Sequence, residues 1–73
     1  MGKVIFEGWR PGLNKIALTK LQEEKLGLGL RQSKENVDAL LDGKQISFTI
    51  EDSIIANDFC NEAENLGVIC RIE

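Results

Sequence analysis

The chain is 73 residues long, with 12 acidic against 9 basic side chains, no histidine, a formal net charge of −3 and 42% apolar residues. A chain this short forms one domain, residues 1–73, and buries only about 60% of its unfolded surface, so a single core does all the stabilising. The charges are mixed without runs of one sign, which argues against nucleic acid as a partner. No apolar run approaches the ~20 residues of a bilayer-crossing helix, and the apolar start reaches Glu7 too soon for a signal peptide, so no membrane partner and a cytoplasmic location are expected.

The missing histidine removes the commonest acid/base group and metal ligand. Ser33, Ser47 and Ser53 are scattered along the chain, and without a histidine they do not make a nucleophile-and-base set. No catalytic, cofactor or metal site is therefore expected, and the chain does not read as an enzyme. Cys60 and Cys70 match no metal-site spacing. They read as two small buried hydrophobes in a reducing compartment or as a helix-to-strand disulfide, and the sequence leaves both open.

In chain order, Lys3 to Glu7 alternates with Val4 and Phe6 on one face, which predicts a first strand. Gly8-Trp9-Arg10-Pro11-Gly12 reads as a breaker-rich loop. Trp9, the single tryptophan, either folds over the edge of the core or stands as an exposed anchor for a partner. Leu13 to Lys25 is the first expected helix. At ~100° per residue it places Leu13, Ala17, Leu18 and Leu21 on one face and Ile16, Thr19, Lys20 and Glu23 on a second. Lys15 falls in the first turn, where the helix dipole favours an acid, so helix stability does not explain it.

Gly27-Leu28-Gly29-Leu30 then forms a corner. Gly27 suits the left-handed residue that ends a helix, Gly29 lets the backbone turn again, and Leu28 and Leu30 plug the corner from inside. A second helix is predicted over Leu30 to Leu41, with an apolar stripe of Leu30, Val37 and Leu41 and with Leu40 alongside. Lys34 sits on that stripe. It either snorkels at the rim of the core or is held at a partner-binding surface. Asp42-Gly43 closes the helix.

Lys44 to Ile50 alternates cleanly and predicts a second strand covered on one face. Thr49 to Asp52 fits a capping box, with Asp52 or Ser53 as alternative caps. A third helix is expected from Ser53 to Leu66, with a core stripe of Ile55, Phe59, Ala63 and Leu66, stopped by Gly67. Val68 to Glu73 is the last strand, with Val68, Cys70 and Ile72 inward. The order β-α-α-β-α-β predicts an α+β, two-layer sandwich, a three-stranded sheet with three helices on one face. The open face would carry Lys3, Ile5, Gln45, Ser47, Ile69 and Arg71. Ile5 and Ile69 there form an apolar patch through which a second copy of the chain is a candidate partner.

Asn14-Lys15-Ile16-Ala17-Leu18-Thr19-Lys20, followed by Gly27-Leu28-Gly29-Leu30-Arg31-Gln32-Ser33-Lys34 and Val37, resembles the C-terminal domain of the acidic stalk protein of the bacterial large ribosomal subunit. The ungapped likeness covers Asn14 to Val37, and the element order extends it over nearly the whole chain. The resemblance implies the same fold, with the exposed side of the first two helices contacting a translation GTPase or another ribosome-associated factor. The matching positions here are Lys15, Ile16, Thr19, Lys20, Glu23, Gly29 and Lys34; Trp9 joins them as a partner-binding candidate from its composition alone. Two positions depart from the pattern. Glu23 stands where the family carries a basic residue, and Thr19 where it is aliphatic. The family's N-terminal dimerisation segment and hinge do not precede the first strand, and the expectation is a stand-alone relative that binds a protein partner. The adaptor protein of the Clp protease is similar in element order and supplies the alternative, a substrate adaptor. A weak nucleic-acid module built on Lys15, Lys20, Arg31 and Lys34 is a further alternative.

Overall fold

The computed structural model describes residues 2–73. It contains β1 (Lys3–Trp9), α1 (Lys15–Leu26), α2 (Leu30–Leu41), β2 (Ile46–Thr49), α3 (Ser53–Asn65) and β3 (Val68–Ile72), the expected order. The sheet runs β2-β1-β3, with β1 in the centre and antiparallel to both neighbours. Among the described residues, no helix is long and apolar enough to cross a membrane.

The alternation in β1 sets the core. Val4 stands opposite Phe48 and Ile72, and Phe6 opposite Ile46 and Cys70, so one sheet face is apolar across all three strands. α2 and α3 lie on that face, and α1 rests across the two of them. Phe6, Phe48 and Phe59 form the centre, with ring centroids 4.9 to 5.5 Å apart in stacked and edge-on arrangements. Leu18, Leu40, Ala63 and Val68 close the core around them.

Several local expectations are corrected. The predicted loop over Gly8 to Gly12 begins two residues late, because Gly8 and Trp9 belong to β1. One extra residue between Phe6 and Gly8 bulges the strand, so that Gly8 pairs with Ile69 and Trp9 with Val68. The cluster of Gly8, Pro11 and Gly12 reads as a loop in sequence, yet the bulge lets Gly8 and Trp9 stay paired with β3. Leu13 lies outside α1. Asn14 is the N-cap, its side chain accepting from Ala17 N at 3.0 Å, and Lys15 is the first helical residue. Of the caps the sequence offers for α3, Asp52 is the one used, accepting from Ile54 N and Ile55 N. Ile55 is 45% exposed, and the buried side of α3 is Ala56, Phe59, Cys60 and Ala63, one residue further round the helix.

The corner also differs in part. Gly27 ends α1 in the left-handed region (φ 68°), as expected, and Leu28 packs against the core. Gly29 has an ordinary extended φ of −70°, and Leu30 is 52% exposed rather than inside. On the open sheet face, Ile5 is only 7% exposed. Its partner across the strand pair is Arg71, whose guanidinium binds Glu7 at 2.6 Å and Glu73 at 2.7 Å. The expected Ile5–Ile69 patch is thereby reduced to Ile69.

Candidate functional site

Lys15, Ile16, Thr19, Lys20 and Glu23 fall on one side of α1 because they sit about one turn apart or next to each other at a turn's spacing. On α2, Leu30, Lys34, Val37 and Asp38 repeat the same logic. The Gly27–Gly29 corner folds the two helices back on one another, and these two sides become the walls of one open groove of about 420 Å³. Six of the residues singled out from sequence meet there: Lys15, Ile16, Thr19, Lys20, Glu23 and Lys34. Leu30, Val37 and Asp38 complete the lining.

A buried polar seam fixes the two walls. Gln22 on α1 is fully buried, an unusual place for an amide. Its Nε2 donates to the main-chain carbonyls of Leu18 and of Ser33, both at 3.2 Å, and its Oε1 accepts from Asn36 Nδ2 at 2.9 Å. Gln32 Nε2 in turn donates to Asn36 Oδ1 at 2.9 Å. The seam satisfies Gln22 completely and specifies how far α1 slides along α2, since a one-residue slip would leave a buried amide unpaired. At the far end of α1, the Lys25 ammonium lies 3.1 Å from Asp58 and 3.3 Å from Glu62 of α3. Those carboxylates raise its pKa, the hydrogen bond to Asp58 contributing most.

Ile16 projects into solvent at 73% exposure, and Leu30 beside it is also largely open, so the groove presents two apolar side chains over the buried Val37. Lys15, Lys20 and Lys34 surround them. None of the three reaches a carboxylate within ion-pair distance; the ion pairs among the described residues involve Lys25 and Arg71. With Glu23 and Asp38 the lining carries three positive and two negative groups. Thr19 is buried, and its hydroxyl donates to the Lys15 carbonyl at 2.9 Å, so it offers no free donor. The arrangement suits recognition of a surface that carries acidic groups around an apolar contact. It holds no nucleophile paired with a base.

The other two sequence candidates lie apart from this lining. Trp9 ends β1 opposite Val68 and is 41% exposed. Gly29 caps α2 next to Leu30, and a Cβ there would meet nothing within 4 Å. Sequence reasoning missed Asp38, although it lies one turn after Lys34 and helical spacing would have found it. It also missed Gln22 and Asn36, for which a polar residue on a helix carried no signal of burial. A second hollow, of about 480 Å³, is lined by Gly2, Lys3, Thr49, Glu51 and Glu73 and has no large apolar side chain. Compared with models of known protein families and with curated proteins, the chain matches none.

Proposed function

We propose that the α1–α2 groove is a docking surface for another protein and that the chain works by binding, without turnover. The partner presents acidic side chains around an apolar contact. A translation GTPase or another ribosome-associated factor is the partner class that the resemblance of Asn14 to Val37 to the ribosomal stalk domain brings forward. The observation that carries the reading is the meeting of Lys15, Lys20 and Lys34, all without an internal ion pair, around an isoleucine left in solvent. Each feature is unfavourable or neutral for an isolated chain. An exposed isoleucine gains nothing in water, and solvated lysines add little to stability. Both become favourable against a complementary surface, where the lysines steer the encounter and Ile16 supplies close contact.

Titration of isotope-labelled protein with a purified translation GTPase tests the reading. The expected amide shifts fall on Lys15, Ile16, Lys20, Leu30 and Lys34 and weaken as salt is raised. Shifts confined to β2, β3 or the Trp9 end of β1 would contradict the placement. Binding to RNA or DNA with a steep salt dependence, and none to protein, would replace it with the nucleic-acid alternative.

A further inference from the structure

Cys60 and Cys70 play no part in the groove, which neither residue lines. Cys60 lies in α3 on its buried side, and Cys70 lies in β3 opposite Phe6, half-buried against the core. Both thiols are free, and their sulfurs stand 2.7 Å apart. That separation is well inside the ~3.5–4.0 Å at which even smaller carbon atoms rest without bonding. α3 and β3 are joined through a single turn at Leu66-Gly67, whose backbone is held by Arg10 N donating to Gly67 O and Asn14 N donating to Leu66 O. The two sulfurs are thus presented to each other by elements that cannot drift far apart while the domain is folded.

We propose that Cys60 and Cys70 form a reversible intramolecular dithiol–disulfide couple that staples α3 to β3. The oxidant class is a low-molecular-weight disulfide such as glutathione disulfide. Cys70, the more accessible sulfur, loses its proton to solvent and attacks the reagent; a Cys70–glutathione bond forms and one glutathione thiolate leaves. Cys60 then loses its proton and attacks the Cys70 sulfur. The Cys60–Cys70 bond forms, the second glutathione leaves, and the two electrons given up by the protein thiols reduce the reagent. Burial, and then the neighbouring Cys60 thiol, push the Cys70 pKa well above its ordinary value, with Glu64 and Glu7 adding to the effect. The first exchange is therefore slow at neutral pH and quickens as pH rises. This fits a structural staple set by the redox state of the surroundings better than a rapid sensor.

The test uses the reduced full chain incubated with glutathione disulfide. The expected product is a monomer lighter by two hydrogens in intact mass, with no thiol left to alkylate after denaturation. Its Tm is raised by roughly 5–15 °C, because the bond shortens the freedom of the unfolded chain. Dithiothreitol restores the starting mass and Tm. Cys60→Ala stops at the glutathione adduct on Cys70, and Cys70→Ala leaves Cys60 unreacted. A wild-type chain that keeps two alkylatable thiols, halts at the mixed disulfide or cross-links to a second copy would overturn the proposal. None of these readouts depends on the groove.

Discussion

The Gln22 side-chain amide on α1 donates to the main-chain carbonyl of Ser33 on α2 at 3.2 Å, in a place where neither group reaches water. This contact and the partnered Asn36 set the two groove walls relative to each other. It also creates a contrast within one turn, because the Ser33 hydroxyl, equally buried, has no hydrogen-bond partner among the described residues.

The contrast gives a first prediction. Gln22→Leu is close in volume but leaves the Asn36 amide without its acceptor and removes the second donor to the Ser33 carbonyl, and should cost about 1–3 kcal/mol. Ser33→Ala removes a hydroxyl that bonds to nothing and should leave stability within ~0.5 kcal/mol of wild type, or raise it. Urea denaturation of the two variants beside wild type checks both.

Phe59 carries a second prediction. It stacks on Phe6 with centroids 5.5 Å apart, meets Phe48 edge-on at 5.3 Å, and is fully buried. Phe59→Ala should cost about 3–5 kcal/mol. A domain of this size has only about 4–11 kcal/mol in total, so the variant should lose a large fraction of it and melt well below wild type by circular dichroism, with Phe59→Leu between the two.

The two glycines that look alike in sequence should behave oppositely. Gly67 has φ 107°, and a Cβ there would sit 3.0 Å from Leu13 Cα, so Gly67→Ala combines a strained backbone with a backbone clash and should lose more than ~1 kcal/mol. Gly29 has an extended φ and open space, and it occupies an N-cap, where serine is favoured. Gly29→Ser should therefore raise stability by a few tenths of a kcal/mol. Thermal melts of the two variants separate the cases.

Much of the fold was legible because β2 alternates, α2 and α3 carry period-3.6 stripes, and Gly27, Asp42-Gly43 and Gly67 mark the helix ends. What was not legible follows from physical causes. Gly8 and Trp9 looked like loop because they adjoin Pro11 and Gly12, while the bulge after Phe6 that keeps them paired with β3 leaves no mark in composition. α3 presents Ile54, Ile55 and Phe59 at spacings that fit more than one stripe. The arc that faces the core runs through Ala56, Phe59, Cys60 and Ala63, which brings Phe59 against Phe6 and Phe48 and leaves Ile54 and Ile55 exposed. Leu30 was assigned to the core as a leucine, yet the buried arc of α2 runs through Ser33, Val37 and Leu40. The groove residues were legible from spacing and resemblance, whereas the seam that positions them was not, since burial of Gln22 depends on a partner eleven residues away.

Cys70 gives the pH prediction. Its folded-state pKa is raised above the ordinary 9.0, so its protonated thiol contributes stability that is fully present below pH 9.0 and is lost as pH rises through the folded value. Under reducing conditions the Tm of wild type should fall on going from pH 8 to pH 11 more steeply than that of Cys70→Ala. Melts in dithiothreitol across that range measure the difference.

On the proposed function, the groove holds a protein partner through its unpaired lysines. The most direct measurement compares the affinity of Lys20→Glu/Lys34→Glu for a purified translation GTPase with that of Lys3→Glu/Lys44→Glu. The second variant carries the same change of net charge at exposed positions outside the groove lining. Both variants should keep the wild-type circular dichroism spectrum. A loss of about tenfold or more is expected for the groove variant at low salt, and a change of less than about threefold for the control. Equal affinities for the two variants would contradict it.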